Sequence, residues 1–68
     1  MGLERKYAYY YAVIDLETNM CMEVQDTSNY IDRPDYIPID EPNGEYVFKY
    51  YINGVWYEDA DGLIPWNP

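Results

Sequence analysis

Histidine is absent from this 68-residue sequence, and cysteine occurs only once, at position 21. One cysteine cannot form a disulfide within the chain, and a zinc site needs clustered cysteine or histidine ligands. Without imidazole, proton transfer would depend on carboxylates, tyrosine or lysine, and Cys21 has no imidazole partner to activate it as a nucleophile. The sequence therefore predicts a protein that is not an enzyme and that holds neither a metal nor a cofactor.

Basic residues are also scarce, because four Lys and Arg oppose thirteen Asp and Glu and the formal net charge is −9. Phosphates and anionic lipid headgroups are met by Lys and Arg, so this balance argues against direct binding to nucleic acid and to membrane surfaces. Two interpretations of the acidity stay open. It is either a solvated exterior that keeps the chain dispersed, or a surface that meets a basic partner or imitates a polyanion.

Long apolar runs are missing too. The apolar stretch that follows Arg5 and Lys6 meets Asp15 too early, and contains too much tyrosine, for the core of a signal peptide. No stretch approaches the length needed to span a bilayer. We therefore expect a single small domain over residues 1–68 that is not secreted by a signal peptide.

Aromatic residues, in contrast, make up 19% of the chain, and ten of them are tyrosines. A chain this short buries only roughly 60% of the surface that its unfolded form exposes, so its stability is marginal unless another chain contributes. Tyr and Trp are enriched at protein interfaces because they combine large contact area with few torsions. The composition thus predicts a protein partner, with a homo-oligomer as one form of it.

The residue pattern predicts an all-β fold, a small antiparallel sheet of two hairpins at about residues 7–26 and 46–60. In the first hairpin, a turn at residues 16–19 would place Val13 opposite Met22. A helix over residues 7–15 is the alternative, but consecutive tyrosines before Val13 and Ile14 fit a pleat better. The face expected to form the core carries Tyr9, Tyr11, Val13, Met20, Met22 and Val24. The opposite face carries Tyr10, Ala12, Ile14 and Cys21.

A proline-rich segment separates the two hairpins. Pro34, Pro38 and Pro42 remove backbone donors and exclude a central strand. We expect residues 36–39 (YIPI) to follow a sheet edge and residues 41–44 (EPNG) to form a turn.

The second hairpin is marked by Asn53-Gly54, the strongest short-range signal for a two-residue type I′ turn. That turn pairs Tyr51 with Trp56 and Lys49 with Glu58. The predicted core face carries Phe48, Tyr50, Ile52, Val55 and Tyr57. The other face is expected to meet solvent and carries Val47, Lys49, Tyr51, Trp56, Glu58 and Ala60. Leu63, Ile64 and Trp66 are expected to cover one end of the sheet as a lid.

Aromatic and acidic side chains on the less apolar faces are the candidate interaction residues, namely Tyr51, Trp56, Glu58, Asp59, Asp61 and Tyr10. The alternative for the rings is that they pack beneath the C-terminal segment and the proline-rich connection, and the sequence leaves both readings open. Stacking on sugar rings is a third use. The acidic run at residues 58–61 resembles part of a calcium loop, but Tyr57 and Pro68 would occupy its first and last ligand positions. A solvated acidic turn is the preferred interpretation.

Four segments carry a resemblance, residues 11–14 (YAVI), 21–24 (CMEV), 36–39 (YIPI) and 49–56 (KYYINGVW). Together they resemble small open reading frames of phages and prophages of Gram-positive bacteria, found near tail and host-recognition genes. The resemblance implies a non-enzymatic protein–protein interaction module and a virion component, bound to copies of itself and to a tail, baseplate or capsid protein.

The same resemblance implies an alternative. This is an acidic anti-defence protein, similar to anti-CRISPR proteins, that occupies the basic groove of a host immune nuclease or helicase as a polyanion mimic. Either role would place the protein in the virion or in the host cytoplasm.

Overall fold

A computed structural model describes residues 8–68 of the chain, and this part is built mainly from antiparallel strands. The strands are β1 (Tyr9–Ile14), β2 (Cys21–Thr27), β3 (Tyr36–Ile39), β4 (Tyr50–Ile52) and β5 (Val55–Tyr57), and one turn of 3-10 helix spans Gly44–Tyr46. The predicted all-β class is confirmed. Residue 7, the first of the predicted hairpin, lies outside the described residues.

The strands form a three-stranded sheet in the order β2-β1-β3 and a two-stranded sheet of β4 and β5. Backbone hydrogen bonds join the two sheets at the start of β2. The Cys21 N–H donates to the Lys49 carbonyl oxygen at 2.8 Å, and the Phe48 N–H donates to the Cys21 carbonyl oxygen at 2.9 Å. The second hairpin is thereby anchored to the edge of the first.

A bulge shifts the register of the first hairpin. The predicted turn at residues 16–19 is present, because the Asp15 N–H donates to the Met20 carbonyl oxygen at 2.9 Å. The ladder then changes register between Val13 and Ile14, so that Val13 faces Glu23 instead of the predicted Met22. An extra residue in one strand moves every later side chain of that strand to the other face.

The predicted core face of the first hairpin is mostly wrong for a separate reason, because Tyr46, Tyr51 and Trp56 pack on its other face. Ala12, Ile14 and Cys21 are buried, although they were assigned to the less apolar face, whereas Tyr9 and Met22 are exposed. Of the predicted core set, Tyr11 is fully buried. It lies on the opposite side of the sheet, where its ring packs edge-on against Tyr36 at 5.6 Å.

The proline-rich segment lies at a sheet edge, as predicted, with β3 paired to β1. The Ile14 N–H donates to the Asp35 carbonyl oxygen at 2.9 Å, so the alternation of an antiparallel ladder turns the backbone nitrogens of Tyr36 and Pro38 away from β1. Proline has no N–H, and the Tyr36 N–H is bonded to the Arg33 carbonyl oxygen at 3.1 Å. The outer edge of β3 therefore offers no donor at these two positions.

The second hairpin has the predicted register but is shorter than predicted. Tyr51 faces Trp56, and Asn53 and Gly54 both have positive φ, at 50° and 83°. Residues 44–48 form turns instead of strand. The predicted Lys49–Glu58 ion pair is not formed, since the Lys49 Nζ lies 4.9 Å from the centre of the Trp66 ring.

The C-terminal segment runs along β5 as a further edge. The Trp66 N–H donates to the Trp56 carbonyl oxygen at 3.0 Å, and the Glu58 N–H donates to the Ile64 carbonyl oxygen at 2.8 Å. Of the expected lid, Trp66 packs against the core, but Leu63 and Ile64 are exposed.

The predicted core face of the second hairpin is wrong too. Its Tyr51 and Trp56 side packs against the core, and Phe48 and Val55 are exposed.

Candidate interaction surface

Two of the predicted interaction residues, Tyr51 and Trp56, belong to an aromatic cluster on the core. The ring of Trp56 lies 4.9 Å from the ring of Tyr51 and 4.9 Å from that of Tyr46, and Tyr46 lies 5.0 Å from Trp66. Both predicted residues are only half-exposed. The expectation that their face meets solvent is wrong, because the 3-10 turn and the C-terminal segment supply Tyr46 and Trp66 to cover it.

The predicted acidic residues lie in and beside the turn that follows β5. The Asp59 carboxylate accepts hydrogen bonds from the N–H groups of Leu63 at 3.0 Å and Ile64 at 2.9 Å, and this turn contains Gly62 at a φ of 70°. Asp59 therefore holds the turn together, whereas Glu58 and Asp61 are exposed. Across residues 8–68, no three His, Cys, Asp or Glu side chains come together in a way that would hold a metal ion.

Burial and nearby carboxylates shift two ionisable groups. Burial raises the pKa of the Cys21 thiol above its ordinary value of 9.0. The pKa of the Tyr46 phenol is raised above 10.0, first by burial and then by the negative charges of Asp40 and Glu41. Both groups are therefore neutral at neutral pH. Their position in the core points to a structural role.

Among residues 8–68, the negative charge is largely uncompensated by ion pairs. The ion pair in this part of the protein joins Arg33 to Asp35 at 3.0 Å, and Lys49 lies over the Trp66 ring. Asp40 and Glu41 line a small cavity of about 150 Å³ beside Tyr46. The acidic side chains are thus available to a partner that carries positive charge.

Tyr10, the remaining predicted residue, lies in a groove beside the start of β1. The groove has a volume of about 250 Å³, and its other walls include Tyr9, Tyr30, Ile39 and Asp40. Tyr9 and Tyr30 meet edge to face at 5.9 Å with an angle of 72° between their rings. The Tyr11 hydroxyl accepts a hydrogen bond from the Ile31 N–H at 2.8 Å and so fixes the loop beside Tyr30.

Sequence reasoning missed two surface features. Phe48 was assigned to the core but is 68% exposed, and no local signal marks a phenylalanine with positive φ. Tyr30 was not singled out, although an aromatic residue inside the polar run at residues 27–33 is itself a signal.

Comparisons with protein families, with curated proteins and with solved structures give no match for this chain. Within residues 8–68, no helix has the length and apolar character needed to cross a membrane.

Proposed function

We propose that this chain is a non-enzymatic protein–protein interaction module and a small component of a phage particle, attached to a tail, baseplate or capsid protein. The phage assignment is supported by the sequence resemblance described above. The interaction role is supported by one observation above all, the conformation and exposure of Phe48.

Phe48 combines backbone strain with solvent exposure. Its φ is 76°, a region that bulky side chains avoid at a cost of about 1–3 kcal/mol, and its side chain is 68% exposed. Hydrogen bonds hold the segment in place, because the Phe48 N–H donates to the Cys21 carbonyl oxygen at 2.9 Å and the Lys49 N–H donates to that of Tyr46 at 2.9 Å. The backbone hydrogen bond joins the two sheets, but the exposed ring gains little from burial within residues 8–68, so the ring is available as an anchor for another protein.

The surface around Phe48 extends this anchor. Met22 directly follows the residue whose carbonyl group binds the Phe48 N–H, and it is 52% exposed. Few side chains are buried in the described chain, the apolar ones being Tyr11, Ala12, Ile14, Cys21 and Tyr46. A domain with so small a core gains stability from covering such a surface in an assembly.

The test compares the natural chain with Phe48→Gly. Glycine accepts positive φ without strain, so the variant should unfold at the same denaturant concentration or a higher one. It should nevertheless lose at least about tenfold in affinity for its partner. Leu63→Ala is the matched control, because Leu63 is even more exposed and has no such strain.

The partner is identified by mass spectrometry of proteins that co-purify with each tagged variant from infected cells, with purified virions examined in parallel. We expect the natural chain and Leu63→Ala to recover tail, baseplate or capsid proteins and to be present in virions, and Phe48→Gly to recover fewer of them. If Phe48→Gly behaves as the natural chain, the role of Phe48 is wrong.

A second candidate function is an acidic anti-defence inhibitor, favoured by the uncompensated acidic surface. Recovery of a host nuclease or helicase, together with absence from virions, would support this alternative against the first. Glu58→Lys combined with Asp61→Lys should then abolish binding, because both residues are exposed, while Asp59 is left unchanged because it holds its turn.

A further inference from the structure

We infer that the groove between Tyr9, Tyr30 and Asp40 binds a proline-rich peptide segment that carries an arginine. This inference rests on the proposed role as a protein-binding module and adds the chemistry of one partner. The groove is distinct in composition from the Phe48 surface, so the two are tested separately.

The walls of the groove are aromatic and are held in place. Tyr9 is 43% exposed and Tyr30 is 62% exposed, and their rings stand at 72° to each other. Tyr9 belongs to β1, and the loop that carries Tyr30 is fixed by the hydrogen bond from the Ile31 N–H to the Tyr11 hydroxyl. A groove built on a strand and a braced loop loses little entropy when it is filled.

The ring geometry selects the shape of the occupant. A sugar stacks on a flat aromatic platform, but two rings at 72° form a notch. A volume of about 250 Å³ fits one or two compact side chains and is below the range of drug-sized ligands. Proline rings are compact and apolar, and a polyproline II segment has its conformation set before binding, which is how aromatic-lined grooves recognise such segments.

The negative charge at the groove favours a cationic residue beside the prolines of the bound peptide. Asp40 lies at the end of β3 in the wall of the groove, is exposed, and has no ion-pair partner among residues 8–68. The net charge of −9 gives the whole chain a field that attracts cations. Arginine is the cation that matches a carboxylate with paired hydrogen bonds, so we assign it to the position beside Asp40.

The test is to titrate the full chain with the synthetic peptide Arg-Ala-Leu-Pro-Pro-Leu-Pro and to monitor the backbone amides by NMR. A second titration uses the same peptide with Glu in place of Arg. The arginine peptide should shift the amides of Tyr9, Tyr30 and Asp40 in a saturable manner. The glutamate peptide should bind at least about tenfold more weakly, since its charge faces Asp40.

Variants separate the two parts of the site. Tyr30→Ala should weaken binding of the arginine peptide about tenfold, and Asp40→Asn should weaken it about threefold and reduce its dependence on salt. Asp32→Asn, another exposed acidic residue that does not line the groove, and Phe48→Gly should bind the peptide as the natural chain does.

Three outcomes would overturn the inference. The first is no saturable shift of the groove amides, and the second is equal binding of the arginine and glutamate peptides. The third is that the same amides shift with an oligosaccharide, or with protein concentration alone, while the peptide has no effect. None of these outcomes bears on the Phe48-dependent association. Equal recovery of partner proteins by the natural chain and by Phe48→Gly, with intact peptide binding, would overturn the proposed Phe48 surface instead.

Discussion

At the scale of single residues, the neighbours of Trp56 determine whether its ring belongs to the core or to an exposed interface. Its ring contacts those of Tyr46 and Tyr51 at 4.9 Å each, and Trp66 lies at 6.3 Å. The aromatic type and its pairing with Tyr51 were predictable from the sequence. The burial was not, because Tyr46 and Trp66 reach this face from segments that have no regular periodicity.

Trp56→Ala should therefore reduce stability, in contrast to the sequence-based expectation that it would mainly weaken association. We expect a loss of about 2–4 kcal/mol in the free energy of unfolding, measured by urea denaturation followed by circular dichroism, because the substitution leaves a cavity in the aromatic cluster. Val55→Ala is the control, since Val55 lies on the exposed side of the same strand and should cost less than about 1 kcal/mol. Equal costs for the two variants would contradict the assignment of the faces.

The buried thiol and phenol make stability depend on alkaline pH. Burial raises the pKa of Cys21 above 9.0, and burial with nearby carboxylates raises the pKa of Tyr46 above 10.0. The folded protein then holds protons that the unfolded chain releases, so the stability is fully present below pH 9 and is lost as pH rises through the raised pKa values.

The melting temperature should accordingly fall from pH 9 upward, beyond any fall caused by exposed groups. Cys21→Ala should flatten the part of this fall between pH 9 and pH 10, whatever its cost in stability at neutral pH. A variant with an unchanged profile would show that the thiol does not contribute.

At the scale of elements, the two hairpins differ in how far the sequence specifies their register. A two-residue type I′ turn needs positive φ at both central positions, and Asn53 and Gly54 accept it, so the pairing of the second hairpin follows directly. The first hairpin has the predicted turn length, but the bulge between Val13 and Ile14 changes the faces beyond it. The bulge does not explain the wrong core face, since Ile14 and Cys21 pair in the predicted register but are buried beneath the second hairpin.

Two glycines offer a matched test of the second turn. Gly54 has a φ of 83°, whereas Gly44 has no positive φ, and a Cβ at either position would meet no atom within 4 Å. Gly54→Ala should therefore cost about 1–2 kcal/mol from backbone strain alone, and Gly44→Ala should change stability by less than about 0.5 kcal/mol. The urea midpoints of the two variants measure the difference. Equal midpoints would show that the turn is not of the left-handed type.

At the scale of the whole molecule, a chain with a small apolar core carries a large negative charge. The formal charge of −9 acts against a fold in which few side chains of residues 8–68 are fully buried. Self-repulsion of like charges destabilises the compact state, and salt screens it.

Sodium chloride should therefore raise the melting temperature. Between about 0.01 M and 0.15 M salt the Debye length shortens from about 30 Å to about 8 Å, and we expect a rise of a few degrees over this range. The same comparison near pH 4.1, where the net charge of the sequence is close to zero, is the control and should show little change. A salt effect of the same size at both pH values would point to a cause other than charge repulsion.

Four features follow from the amino-acid sequence alone: the strand class, the edge position of the proline-rich segment, the second turn with its register, and the acidic charge. These features depend on local backbone preferences and on residue counts, which need no knowledge of distant contacts. Three other features depend on how the chain packs: which face of each hairpin is buried, the exposure of Phe48, and the contact between Tyr9 and Tyr30. Those features depend on aromatic side chains brought from remote, irregular segments, and only the folded chain places such groups together.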